Sequence, residues 1–147
     1  MNFTTLPNAG LLVVRVIVGI TFLLHALDKL GNPTSTEQLF ASLGIPAPGV
    51  MAPFVALTET VGGVFLIVGL ATPLVAAALT VDMLVATLTG HLDRGFFVRD
   101  GGIELTLLLC AASLGIALAG PGRFSLDASL DFPRHLARRV RAVTGTR

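Results

Sequence analysis

Four long apolar segments constrain this chain more than any other feature of its sequence. They run from about residue 6 or 9 to 30, from 53 to 70, from 73 to 88, and from 103 to 119. Each approaches the roughly 20 mostly apolar residues that a helix needs to cross a bilayer. The sequence therefore predicts four transmembrane helices.

The composition and the short connections favour a compact membrane domain. Of the 147 residues, 53% are hydrophobic and 13% are charged, whereas a soluble domain carries about 25% charged residues. Only Ala71 and Thr72 separate the second and third segments, which predicts a tight antiparallel hairpin. We predict an all-α membrane protein, a four-helix up-down bundle over residues 1–130, followed by a tail over residues 131–147.

The segments between and after the predicted spans indicate short surface helices. Residues 34–44 place Thr34 and Glu37 at capping-box spacing and predict a helix on the membrane surface. In the tail, Leu136, Val140 and Val143 would form an apolar stripe with arginines on the other sides, which predicts a basic amphipathic helix.

The distribution of positive charge predicts the orientation. The last part of the chain carries Arg123, Arg134, Arg138, Arg139, Arg141 and Arg147. The opposite side carries fewer basic residues, so the positive-inside rule places both termini in the cytoplasm of a bacterial cell, with the chain multi-pass in its plasma membrane. Residues 1–8 contain neither Lys nor Arg, which argues that the first span is retained and is not a signal peptide.

Ionisable residues within the predicted spans are the candidates for function, because charge is costly in lipid. The outer half of the bundle is predicted to gather them in one pocket, consisting of His25, Lys29, Glu59, His91 and Glu104. Two interpretations stay open. The pocket binds a small ligand or quinone head group or relays protons, or its residues form ion pairs that hold the helices together. Neither identifies a cofactor, although a quinone is a candidate.

Two further predictions concern metal binding and structure. His25 and His91 are expected at different depths, so we predict no metal site. Arg15 and Asp82 both enter from the cytoplasmic face at similar distances from the starts of their helices. The sequence predicts a structural ion pair between them, since pairing lowers the cost of a charge near the bilayer centre.

The single cysteine limits the redox chemistry that the chain could perform alone. Cys110 excludes an internal disulfide and a Cys-x-x-Cys pair. Any redox role therefore needs another group, a bound cofactor or a partner protein.

Four motifs, in order, resemble the DoxX family. They lie at residues 19–30, at residues 59–73, at residues 83–91, and at residues 102–105 together with 120–127. The resemblance spans about residues 9–130 and includes the five pocket candidates. It implies a small four-helix inner-membrane protein of a kind described as a subunit of oxidoreductases, including thiosulfate:quinone oxidoreductases and thiol or oxidative-stress complexes. It supplies no established catalytic set.

Three functions are open at this point. The first is an accessory or anchoring subunit of a membrane redox system, and the second is a non-enzymatic scaffold that recruits soluble partners. The third is a small oligomeric transporter. The expected partners are the lipid bilayer and proteins of a redox complex, with a homo-oligomer as a further arrangement and no nucleic acid. The sequence leaves open whether the chain is itself an enzyme.

Overall fold

The computed structural model describes residues 5–130, and these residues form helices without any strand. The all-α prediction is therefore confirmed for this part of the chain, while the predicted tail at residues 131–147 lies outside it. The α-helices in the described part of the chain are α1 Thr5–Gly31, α2 Pro33–Ser42, α3 Pro48–Val68, α4 Thr72–Ala86, α5 Glu104–Ala119 and α6 Leu126–Ser129.

The region after α4 continues as helix of other types. A π-helical turn follows at Thr87–His91, then a 3-10 turn at Leu92–Arg94, and a second 3-10 turn lies at Val98–Asp100. The third apolar segment is thus helical beyond its predicted end at residue 88.

Within residues 5–130, three helical stretches are long and apolar enough to cross a membrane, namely Leu6–Gly31, Pro48–Val68 and Thr72–Arg94. Helix α5 is apolar but has 16 residues, which span about 24 Å at 1.5 Å per residue. That is less than the roughly 30 Å of a bilayer's hydrocarbon core. Length and composition therefore support three of the four predicted spans.

Close backbone contact joins α1 to α3. A Cβ atom on Gly19 would lie 2.7 Å from the Gly63 carbonyl oxygen, and a Cβ atom on Gly63 would lie 2.7 Å from the Gly19 carbonyl oxygen. Small residues at such positions let two membrane helices approach closely. Next to this contact, Gly62 of α3 faces the Leu79 side chain of α4.

One core is shared by the four longer apolar helices. Its buried members are Val18, Phe22, Leu66, Ala76, Leu79, Met83, Leu109 and Ile116. Outside this core, large apolar side chains are widely exposed, with Leu118 80% and Leu74 75% exposed. A water-soluble monomer rarely presents that much apolar surface. The helices face lipid, and the chain is a membrane protein.

Two predicted helix starts are wrong. The second span begins at Pro48 rather than Pro53, and Pro53 lies inside α3. Helix α2 begins at Pro33 with Asn32 at its N-cap position and no side-chain cap bond. The Thr34–Glu37 capping box is therefore not formed, because proline at the first position already starts the helix one residue before Thr34.

Candidate functional site

A cavity of about 410 Å³ lies between α1, α3, α4 and α5, at the end of the molecule that carries α2. Ligand sites in proteins have volumes of roughly 300–1,000 Å³ and mostly apolar walls with a few polar groups. The apolar lining consists of Phe22, Leu39, Phe40, Leu43, Ile45, Met51, Val55, Met83, Val85, Ala86, Val98, Leu105 and Leu109. The cavity is thus suited to a largely apolar ligand.

The polar lining is concentrated in a few side chains that different helices supply. These side chains are His25, Lys29, Glu59, Asp82, Thr89, His91 and Thr106. Because α1, α3, α4, α5 and the π turn all contribute, the polar surface forms only when these elements pack together.

A short ion pair joins α1 to α3 at this cavity. Lys29 Nζ lies 2.6 Å from Glu59 Oε2, and the Glu59 side chain is 2% exposed while that of Lys29 is 23% exposed. Charge-assisted hydrogen bonds of this kind are shorter and stronger than neutral ones. The pair keeps the Glu59 carboxylate from being buried without a partner, which would be costly.

Asp82 brings a second carboxyl group to the same place. Because Gly62 of α3 contacts Leu79 of α4, Glu59 and Asp82, each three residues from that contact in the same direction, lie level on these antiparallel helices, and both line the cavity. Asp82 is near enough to interact with the charges of Glu59 and Lys29. Its Oδ2 atom is buried and has no hydrogen-bond partner among the described residues. Lys29, Glu59 and Asp82, here called the charged cluster, therefore bring two carboxyls and one ammonium to the same part of the cavity wall.

The π turn that follows the C-terminal end of α4 contributes three residues to the cavity lining. Thr89, Gly90 and His91 of this turn line the cavity, and His91 Nδ1 lies 2.6 Å from the Gly101 carbonyl oxygen. Because a carbonyl only accepts, Nδ1 carries the proton in this bond and Nε2 remains for another partner. Single π turns within α-helices occur frequently at functional sites.

Helix α2 covers one side of the cavity. The apolar side chains of Leu39 and Phe40 in α2, and of Leu43 just after it, line the cavity. Phe40 is buried, and Leu39 remains about half exposed. The apolar face of α2 thus has a protein-facing role in addition to the membrane contact expected for it.

Four of the five predicted pocket residues line this cavity, namely His25, Lys29, Glu59 and His91. Glu104 does not line it. The Val98 backbone N–H donates to Glu104 Oε2 at 2.9 Å. This carboxylate therefore fixes the second 3-10 turn against the start of α5. The cause is its position as the first residue of α5, where it faces the preceding loop.

The predicted ion pair between Arg15 and Asp82 is wrong. Contacts of α3 with Gly19 and with Leu79 place those two residues at one level. Arg15 lies four residues from Gly19 towards the α3–α4 turn, and Asp82 lies three residues from Leu79 in the opposite direction. At 1.5 Å per residue the two side chains start about 10 Å apart along the helix axes. Counting from helix starts failed because those starts are not level.

Arg15 instead holds the segment that follows α5. Its guanidinium donates to the carbonyl oxygens of Pro121 and Phe124, and it is 1% exposed. Asp127 lies near enough to interact with its charge. Asp127 also accepts from the backbone N–H groups of Ala71 and Thr72. Arg15 therefore belongs to a structural contact at the α3–α4 turn, away from the cavity.

Asp82, Thr89 and Thr106 are cavity residues that the sequence alone did not assign to the pocket. A signal for two of them was available, because Asp82 and Thr89 are seven residues apart and share a helical face. Nothing in the sequence around Thr106 of α5 indicates a cavity residue. Its hydroxyl accepts a hydrogen bond from the Thr87 hydroxyl at 2.9 Å, which links α5 to the π turn. Within residues 5–130, no group of three or more His, Cys, Asp or Glu side chains is arranged to hold a metal ion.

Comparison with known proteins gives matches over most of this chain. It is 36% identical over 118 residues to the putative oxidoreductase CatD of Bacillus subtilis (strain 168), covering 80% of this chain and 84% of that protein. It is 28% identical over 126 residues to the inner membrane protein YqjF of Escherichia coli (strain K12), covering 86% and 95%.

A mycobacterial protein and a family model complete the comparison. The chain is 30% identical to the uncharacterized membrane protein Rv3486 of Mycobacterium tuberculosis (strain ATCC 25618 / H37Rv), covering 90% of this chain and 85% of that protein. No solved structure matches the chain. The sequence model of the DoxX family matches residues 10–92, which hold most of α1, α2, α3, α4 and the π turn. This match, together with relatives aligned over most of their length, shows that the chain belongs to the DoxX family.

Proposed function

We propose that this protein is an accessory subunit of a redox system in a bacterial inner membrane, and that its cavity receives the head group of a quinone. The observation that carries the proposal is the pairing of a large apolar cavity with one charged cluster on its wall. A quinone has the matching chemistry, because its ring and tail are apolar and its two carbonyl oxygens accept hydrogen bonds.

The membrane setting supports the same ligand class. Quinones partition into lipid, and α1, α3 and α4 each present lipid-facing apolar surface around the site. One relative is named a putative oxidoreductase and another an inner membrane protein. In this proposal α5 also crosses the membrane, both termini are cytoplasmic, and the cavity opens towards the outer leaflet.

The experiment measures the thermal stability of the purified protein with and without decylubiquinone. A ligand that binds only the folded state at 100 times its Kd stabilises it by about 2.7 kcal/mol. We expect a rise in melting temperature that saturates with quinone concentration. A melting temperature that does not respond to the quinone would reject this ligand.

A pair of variants locates the binding site. Ala86 lines the cavity, so Ala86→Phe should fill it and abolish the quinone response. Ala77 lies on the same helix with its side chain exposed, so Ala77→Phe should respond like the unmodified protein. If Ala86→Phe still responds fully, the quinone binds elsewhere.

A second candidate is a scaffold that recruits soluble redox enzymes without binding a redox ligand. It is favoured by the small size of the connections, since only Gly69, Leu70 and Ala71 separate α3 from α4. Capture of partners from native membranes distinguishes the two functions. A scaffold would retain its partners in the Ala86→Phe variant and show no quinone response.

A further inference from the structure

The charged cluster contains two carboxyl groups but only one ammonium group to balance their charge. Glu59 and Asp82 lie level on neighbouring antiparallel helices and line the same cavity, and the Lys29 ammonium is bonded to Glu59 at 2.6 Å. With both carboxyls ionised the cluster would carry a net negative charge beside the apolar cavity wall. Two carboxylates in contact repel each other, and such pairs commonly hold one proton between them.

The unpaired carboxyl oxygen of Asp82 also indicates that the cluster holds an additional proton. Asp82 Oδ2 is buried without a hydrogen-bond donor among the described residues. A buried carboxylate oxygen without a donor is costly, because water no longer solvates it. One proton between the two carboxyls would neutralise the cluster and allow a carboxyl–carboxyl hydrogen bond.

Within residues 5–130, no other charged group that lines the cavity supplies the compensation. From α1, Lys29 and His25 line the cavity, and His25 is exposed. From α3 only Glu59 contributes an ionisable side chain, and from the π turn only His91, which is bonded to a backbone carbonyl. Helix α5 lines the cavity with apolar side chains and a threonine, and its thiol is directed to a backbone carbonyl of α4. Helix α2 adds only apolar side chains to the cavity.

We propose that Glu59 and Asp82 share one proton in the resting protein, and that the resulting neutral cluster is the hydrogen-bonding site for the ligand in the cavity. The role towards a quinone rests on the proposed function. The shared proton rests on the cluster alone, so it can be tested without any ligand.

Infrared spectroscopy in an ester-free detergent tests the shared proton directly. A protonated carboxylic acid has a C=O stretching band that ionised carboxylates lack. We expect this band at neutral pH in the unmodified protein. Asp82→Asn and Glu59→Gln should each abolish or shift it, because either change removes one partner of the shared proton.

A matched substitution serves as the control. Asp93 is exposed, lies on the helical continuation of α4 and does not line the cavity, so Asp93→Asn should leave the band unchanged. Absence of the band from the unmodified protein at neutral pH would overturn the proposal, even if a variant failed to fold. An unchanged band in either cluster variant would also overturn it. A normal band without any quinone response would reject the quinone and leave the shared proton standing.

Discussion

Asp127 Oδ2 accepts a 2.8 Å hydrogen bond from the backbone N–H of Thr72, which ties the chain beyond α5 to the start of α4. The other carboxylate oxygen accepts from Ala71 N–H at 2.7 Å. Backbone N–H groups in the first turn of a helix lack partners within the helix. A residue 55 positions later in the chain thus supplies the cap that α4 lacks locally.

This relationship predicts that Asp127→Ala destabilises the protein. The change leaves one buried and one partly buried N–H group without acceptors, and hydrogen bonds to charged groups contribute about 1.5–3 kcal/mol each. We expect a clear loss of thermal stability with the quinone response retained, because the site lies at the opposite end from the cavity. The measurement is thermal unfolding of Asp127→Ala beside the exposed control Asp93→Ala. Equal melting temperatures for the two would contradict the capping role.

The contact between Gly19 and Gly63 predicts a second effect on stability. Gly63→Ala places a methyl group 2.7 Å from a backbone oxygen of α1, and overpacking of this kind costs about 1–3 kcal/mol. Gly115 of α5 has open space around its Cβ position, so Gly115→Ala should be neutral or stabilising. Unfolding in detergent measures both. A loss for Gly115→Ala as large as that for Gly63→Ala would show that the close approach is not the cause.

The Lys29–Glu59 pair predicts non-additive substitutions. Removing one partner of a buried pair costs about 3–5 kcal/mol when the other charge is left unpaired. Lys29→Met leaves the carboxyls without their cation, whereas after Glu59→Gln the Asp82 carboxyl remains near Lys29, so we expect the larger loss for Lys29→Met. Lys29→Met and Glu59→Gln should each destabilise the protein, and the double variant should recover part of the combined loss. A double-mutant cycle by thermal unfolding measures the coupling. Additive losses would mean that the two groups do not stabilise each other.

The distribution of arginine and lysine predicts that both termini lie in the cytoplasm. If both termini are cytoplasmic, a C-terminal fusion should be active with a reporter that works in the cytoplasm and inactive with one that works in the periplasm. A reporter inserted after Gly95, in the loop before α5, should show the opposite pattern. Periplasmic activity of the C-terminal fusion would reverse the orientation.

Local pattern predicted the apolar helices and four of the seven polar residues that line the cavity, whereas the positions of the helices relative to one another could not be derived from it. Lys29 and Glu59 were found because charge within an apolar segment is unusual. Asp82 was assigned to the wrong partner, because depth was counted from helix starts and α1 begins well before the level of α4. Glu104 was assigned to the pocket because a sequence does not specify which way a side chain at a helix start faces.

The turn at Thr87–His91 has a consequence for how this cavity could diversify. A π turn holds one more residue than the α-turn it replaces, and removing that residue would rotate everything beyond it by about 100°. His91 would then turn away from Gly101, while the core contacts of α4 that precede the turn would keep their register. Inserting or deleting one residue here would therefore change the part of the cavity lining that this turn supplies and preserve the helix packing. Related proteins can thus differ at this turn in the ligand that their cavity binds without losing the fold.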